Sequence, residues 1–318
     1  MCATDLSYEI RVSEPEILKS KLSARRPKPQ YAVAGPSPST PTKKSSKARI
    51  TDHTPTSRAI FHKANTIFRV DLATREAFPD DALTHAQTLA SWRQACEEMG
   101  DAFEPWKERD GSVIKSIVGQ RTSQLRGELV GRARAQVANI YELKPDVNLP
   151  EKVKELVEML TKDGKAFTYG DPIRSTGLFA NSIIPRLIAD QWLSGAASKA
   201  EGLIYHEAFN PVPAPLIALV ASAVFCALKD FDTGSRCDAD KNPFAGGSVY
   251  EDNYRIQLTR LEKWRAESPA FFEFFRKQLY EKALKISGKK KEAEVVIEET
   301  PIDYAAEAAL AGFALPEA

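Results

Sequence analysis

Hydrophobic residues run almost without interruption from Leu216 to Leu228, and Ser222 is the one polar residue among these thirteen. Three prolines within residues 210–215 precede the run. They predict an extended lead-in, because each proline fixes its own φ and restricts the residue before it. Thirteen residues are too few to cross a hydrocarbon core, which needs about 20. A helix that is apolar on all sides but too short for a membrane is expected at the centre of a helical bundle.

Apolar residues recur at every third or fourth position in most of the surrounding segments, which predicts amphipathic helices. In one of them Pro150 stands in the first turn and Gly164 is placed to end the helix. Ser268 followed by Pro269 is typical of an N-cap and a first helical position. These signals predict helices over residues 59–77, 82–99, 111–141, 149–164, 179–193 and 249–264, and a last helix that buries Phe271, Phe272, Phe275, Leu279 and Ala283.

Together these segments predict an all-α fold, a multi-helix bundle around the apolar central helix. Residues 166–169 are the one short strand candidate. Within residues 111–141, Gly127, Gly131 and Ala135 recur at four-residue spacing. This spacing indicates either a flat face that another helix approaches closely or a hinge.

The two ends of the chain differ from the body in composition. Residues 23–58 carry six prolines, many serines and threonines and few large apolar groups. The burial of so little apolar surface cannot offset the conformational entropy that the chain would lose on folding. Residues 1–58 are therefore predicted to be disordered. Residues 289–318 form a charged tail that we expect to be mostly mobile. The helical domain is therefore predicted over residues 59–288.

The charges are distributed unevenly along the chain. Lys plus Arg number 44 and Asp plus Glu 43, so the net charge is +1 and predicts no polyanionic partner for the molecule as a whole. Residues 23–58 hold eight basic residues and one acidic residue, a balance of +7. Residues 289–318 hold three lysines and seven acidic residues, a balance of −4. The chain thus combines a basic arm (residues 23–58) with an acidic tail (residues 289–318).

The basic arm supports three hypotheses: nuclear import through an import receptor, nonspecific binding of nucleic acid or another polyanion, and a merely solubilising linker. Ser37, Thr40 and Thr54 each precede a proline. Phosphorylation by a proline-directed kinase would add about −1.5 to −2 charges at each of them. The candidate import residues are Arg25, Arg26, Lys28, Lys43, Lys44, Lys47 and Arg49.

The cysteines indicate a reducing compartment. No two of them stand at the two-residue spacing of redox and zinc motifs; they are Cys2, Cys96, Cys226 and Cys237. The first residues lack the basic start and apolar stretch of a signal peptide. We therefore expect an intracellular protein that is neither secreted nor membrane-embedded, with the nucleus as one candidate location.

No catalytic or metal-binding motif is complete, so neither a cofactor nor a metal is expected. Ser112 and Lys115 match S-x-x-K, but its companion motifs are absent. Residues 238–242 begin like a calcium loop, yet Pro243 and Val249 occupy the positions where that loop needs a flexible residue and a glutamate. We read the surrounding acids as a solvated acidic loop; they are Asp230, Asp232, Asp238 and Asp240.

A series of core-type residues follows one another along the chain: Arg132, Ala135, Tyr141, Gly177, Phe179, Asn181, Ile184, Ile188, Trp192, the run 213–221, Ala227, Leu228, Phe244, Tyr250 and Tyr254. In this series the chain resembles an uncharacterised domain of unknown function that is abundant in mushroom-forming fungi. The resemblance covers about residues 115–275, implies a helical fold and carries no catalytic residues with it.

The leading hypothesis for function is a non-enzymatic intracellular binding or interaction module, with the nucleus as one candidate location and a protein as one candidate partner. The alternatives are an enzyme of unrecognised type with its site in the helical body, and nonspecific nucleic-acid binding through the basic arm. An exposed apolar or aromatic groove would favour the module. A cleft that gathers ionisable side chains with shifted pKa values would favour the enzyme.

Overall fold

The computed structural model describes residues 48–100, 111–144, 147–238 and 242–289. Regular structure in these ranges is helical, and the only strand-like feature there is an isolated bridge between Asp171 and Thr176. The predicted all-α class is confirmed. The helices are α1 (Pro55–Thr74), α2 (Asp81–Met99), α3 (Gly111–Val118), α4 (Arg121–Ile140), α5 (Pro150–Thr161), α6 (Ile183–Ile188), α7 (Glu201–Ile204), α8 (His206–Phe209), α9 (Ala214–Lys229), α10 (Val249–Glu267) and α11 (Pro269–Ile286).

Helix α9 occupies the centre of the bundle, as the apolar run predicts. It packs against α1, α4, α5, α6 and α10. Every residue from Leu216 to Leu228 is buried except Phe225, which is partly buried. None of the described helices combines the length and the hydrophobicity that a membrane span requires.

The body begins earlier than the composition predicts. Helix α1 starts at Pro55, within the stretch assigned to the disordered arm, because Thr54 accepts a hydrogen bond from the Ser57 N–H at 3.3 Å. Proline is well suited to the first helical position, where its missing N–H has no helical partner anyway. Arg58 then donates at 2.7 Å to the carbonyl oxygens of His53 and Thr51. Residues 1–47 and the tail beyond residue 289 lie outside the described residues.

Several predicted boundaries were wrong for local reasons. The single helix predicted over residues 111–141 is two, α3 and α4, separated at Gly119 and Gln120. The helix predicted from residue 179 begins only at Ile183, because Phe179 has a φ of 55° that no helix accommodates. It then continues from α6 into a π-helical turn over Ala189–Leu193. The predicted strand is a 3-10 turn over Ala166–Thr168.

Helix α11 carries more apolar surface than the core covers. Phe272 is buried, as predicted, together with Leu279 and Ala283. Phe275 is only partly buried. The predicted burial of Phe271 is wrong, since 61% of it is exposed. An amphipathic helix faces the core with only one stripe of its surface. Four phenylalanines within residues 271–275 cannot all lie on that stripe.

The small-residue face of α4 contacts no other helix. Gly127, Gly131 and Ala135 are all exposed, and a methyl group added at either glycine would have no atom within 4 Å. Helix α4 is also continuous through both glycines. Neither the close helix contact nor a hinge is present in the body.

This geometry predicts that Gly131→Ala stabilises the protein. Glycine in a helix interior costs about 0.5–1 kcal/mol relative to alanine, and nothing at Gly131 opposes the added methyl group. Urea titration should therefore show a rise of that size in the free energy of unfolding. Gly202→Ala in α7 is the matched control and should destabilise, because its methyl group would lie 2.8 Å from Leu193 and 3.0 Å from the Trp192 carbonyl. Equal effects of the two substitutions would contradict this reading.

Candidate binding site

An open groove of about 670 Å³ lies where α10, α11 and residues 165–180 meet. Most of its wall is apolar or aromatic, with charged side chains among the lining residues. We call it the aromatic groove. It is lined by Lys165, Tyr169, Gly177, Leu178, Ala180, Arg260, Lys263, Trp264, Glu267, Phe271 and Phe275.

The corner between α10 and α11 brings the aromatic rings together. Helix α10 ends at Glu267 and α11 begins at Pro269, so only Ser268 separates them. The ring of Trp264 consequently lies 4.8 Å from that of Phe275 and 5.8 Å from that of Phe271. It also lies 5.4 Å, edge to face, from the buried ring of Phe272, which anchors the cluster in the core.

The opposite wall of the groove is a tight loop held by backbone hydrogen bonds. Asp171 and Thr176 exchange bonds of 3.1 and 3.2 Å, and the Gly170 N–H donates to the Gly177 carbonyl at 2.8 Å. Gly177 has a φ of +72°, a backbone conformation that side chains disfavour. Asn181 then donates to the Tyr169 carbonyl at 3.1 Å, which ties the loop to the start of α6. This wall is fixed by the chain's own backbone.

The charged residues that line the groove are mainly cationic. Lys165, Arg260 and Lys263 stand against the single acid Glu267, a balance of +2. Arg260 is held in place by donating to the Gly164 carbonyl at 2.7 Å and to the Asp163 carbonyl at 2.6 Å. Burial lowers the pKa of Arg260, but a guanidinium stays protonated in proteins.

The cations of the groove are weakly neutralised. Lys263 and Glu267 are 3.7 Å apart and largely exposed, so their attraction is worth little. Arg260 makes its short hydrogen bonds to backbone carbonyls, which carry only partial charges. The groove therefore combines an aromatic floor with a net positive charge on its lining residues.

A second cleft, of about 520 Å³, is polar and lies between α10, α4 and the connection from α1 to α2. Arg255 of α10 bridges two carboxylates there, Glu76 at 2.5 Å and Glu251 at 3.3 Å. The Arg126 guanidinium stacks 4.7 Å from the centre of the Phe78 ring, and burial lowers its pKa. Arginines do not exchange protons near neutral pH. The arrangement is a network that fastens α10 to the α1–α2 connection.

Most of the predicted arm residues lie outside the described residues, namely Arg25, Arg26, Lys28, Lys43, Lys44, Lys47, Ser37 and Thr40. Arg49 is described and exposed, directly before a 3-10 turn over Ile50–Asp52. Thr54 is exposed and is the N-cap of α1. Nuclear import, polyanion binding and phosphorylation through these residues stay predictions.

The two motif-like segments have structural explanations. Lys115 of the S-x-x-K match forms an ion pair with Asp81 at 2.6 Å. The prediction of a solvated acidic loop is wrong for Asp230, which is 1% exposed and pairs with Arg134 at 2.7 Å. Asn242 donates to the same carboxylate at 2.6 Å. Within the described ranges, no group of three or more histidine, cysteine or acidic side chains is arranged to hold a metal ion.

None of the groove-lining residues is predicted as a site from the sequence. Tyr169 falls in the segment predicted as a strand, and Phe271 and Phe275 are predicted to be buried in the core. The signal that would have revealed the groove is the excess of phenylalanine in α11, combined with the lysine and arginine residues one turn apart in α10.

The model of a family described as "Domain of unknown function (DUF6532)" matches residues 63–264. No curated protein and no solved structure matches the chain. The match covers the groove except for Glu267 at the end of α10 and the α11 side, which begins at Pro269.

Proposed function

The chain belongs to the DUF6532 family, a domain of unknown function, and on that premise we propose that its helical body is a protein-interaction module. In this proposal the aromatic groove binds an acidic, amphipathic peptide segment of a partner. The groove is a feature of the kind that favours a module over an enzyme. Abundance of the family in mushroom-forming fungi and an intracellular or nuclear location stay predictions.

The observation that carries this proposal is the exposure of Phe271 beside Trp264. Phe271 is 61% exposed, yet it belongs to a ring cluster that is anchored in the core. Scattered exposed apolar residues are normal on a protein surface, whereas an apolar groove with a polar rim is typical of an interaction site. Aromatic side chains in pockets supply most of the binding energy at such sites.

The charge of the groove selects the kind of partner. Its lining carries three cationic side chains and one carboxylate, so it favours an acidic segment over a basic one. The aromatic floor requires apolar side chains on the same segment. An acidic segment that carries apolar or aromatic side chains satisfies both conditions.

Two synthetic peptides of equal length test this prediction with the full-length chain. One alternates acidic residues with leucine and phenylalanine, and the other carries lysine in place of each acidic residue. We expect isothermal titration calorimetry to show binding of the acidic peptide to the chain and no binding of the basic peptide. Phe271→Asp should weaken binding at least about tenfold, because it removes an aromatic anchor and adds a repelling carboxylate next to the ligand.

Phe274→Asp is the matched control. Phe274 is 58% exposed on the same helix but does not line the groove, so its substitution should leave the affinity unchanged. Equal losses for the two variants, or equal binding of the acidic and basic peptides, would overturn the proposal. Thermal melts of both variants should coincide with that of the parent chain, since each replaced side chain is exposed.

A further inference from the structure

We infer that in the free protein the aromatic groove is occupied by the chain's own acidic tail, through residues 292–304. This inference rests on the function proposed above, since it names an internal ligand for the same groove. The partner must then displace the tail in order to bind. Three observations carry the inference: the charge of the groove, the composition of the tail and the place where α11 ends.

The composition of the tail matches that of the groove. Residues 292–304 contain five acidic residues and no basic residue. The same thirteen residues include apolar side chains for the aromatic floor, namely Val295, Val296, Ile297, Ile302 and Tyr304. By contrast, residues 23–58 carry a balance of +7, which the cations of the groove would repel. Of these two segments, only the tail has the chemistry of the proposed ligand.

The distance along the chain also suits the tail. Phe275 lies eleven residues before Ile286, the last residue of α11, so the groove is about 17 Å from that end at 1.5 Å per residue. Seven residues separate Lys289 from Val296, and an extended chain of that length spans about 23 Å. A tail that turned back along α11 would thus bring residues 295–304 over the groove.

Attachment to α11 strengthens such a contact. A tethered ligand acts at an effective concentration on the order of 1 mM, so even a peptide that binds with a Kd of about 0.1 mM would fill the groove most of the time. An external peptide would then bind about tenfold more weakly than to an empty groove. The tail would set a threshold that a partner's affinity or local concentration has to exceed.

A full-length variant with a disabled tail tests the inference. In this tail variant Val296, Ile297, Ile302 and Tyr304 are all replaced by serine, which removes apolar anchors and keeps every charge. The probe is a fluorescent peptide with the natural sequence of residues 290–318, followed by fluorescence anisotropy. We expect it to bind the tail variant about tenfold more tightly than the parent chain. Adding Phe271→Asp to the tail variant should abolish this binding, whereas adding Phe274→Asp should not.

The same titrations distinguish failure of this inference from failure of the proposed function. If the synthetic acidic peptide binds but the tail peptide does not, or if both bind parent and tail variant equally, the groove is a docking site and the internal ligand is wrong. If neither peptide binds the tail variant, the proposed function fails as well. Binding of the tail peptide that survives Phe271→Asp would place its site elsewhere and overturn the inference.

Discussion

Replacement of Asp230 by alanine is expected to lower the free energy of unfolding by about 3–5 kcal/mol, because it removes the buried carboxylate that pairs with the largely buried Arg134 guanidinium. Asp230 is 1% exposed, and it accepts hydrogen bonds from Arg134 at 2.7 Å and from Asn242 at 2.6 Å. The hydrogen bond and charge of Asp230 raise the pKa of Arg134 against the opposing effect of burial. Such a loss is a large share of the roughly 5–15 kcal/mol that stabilise a domain.

Chemical denaturation of the full chain measures this effect, with Asp232→Ala as the control. Asp232 lies two residues further on and pairs with Lys229 at 2.5 Å, but both side chains are substantially exposed. A surface pair of this kind contributes about 0–1 kcal/mol. A similar loss of unfolding free energy in the two variants would show that the Arg134–Asp230 pair contributes no more to stability than an exposed pair. The double variant Arg134→Met with Asp230→Leu should recover much of the stability, since it removes both charges of the pair.

Truncation of Leu219 to alanine is expected to cost about 2–5 kcal/mol, because it leaves a cavity in the middle of α9. Leu219 is fully buried and belongs to the helix around which α1, α4, α5, α6 and α10 pack. Leu149→Ala, at the exposed N-cap of α5, is the control and should change the stability little. Unfolding in urea decides the comparison, and an unchanged midpoint for Leu219→Ala would contradict the central position of α9.

Sizing at two protein concentrations adds a second criterion to the Leu219 experiment. An apolar helix that serves to bind a partner would, when truncated, leave the monomer stable and weaken an assembly. A helix that forms the core destabilises the monomer itself. We expect the second behaviour, with no change in oligomeric state between the two concentrations.

Much of the helical layout was predictable, because apolar residues recur at every third or fourth position in segments that form amphipathic helices. Pro150 and Pro269 were correctly placed in the first turns of α5 and α11. The central helix was identified because its residues are apolar on every face and too few to span a membrane. Errors fell where a local backbone feature interrupts the period, such as the positive φ of Phe179 before α6.

The candidate site was not predictable in the same way. A hydrophobic period shows on which side of its own helix a residue lies, but it does not show whether another element covers that side. Phe271 and Phe272 are adjacent phenylalanines, and the Trp264 ring of α10 lies beside both, yet Phe272 is buried and Phe271 is exposed. The tight loop that forms the second wall depends on hydrogen bonds within residues 170–177, and composition alone did not reveal them.

The sequence by itself determined the all-α class, the central helix and the opposite charges of arm and tail, because each depends on the chemistry of consecutive residues. The tertiary structure alone decided which charges and which aromatic rings are exposed. From the sequence, Asp230 is predicted to lie in a solvated loop, but the structure buries it against Arg134. Phe271 is predicted to lie in the core, but it is exposed beside Trp264. The physical reason is the same in both cases: burial depends on contacts between residues far apart in the chain, such as positions 134 and 230, which no local pattern encodes.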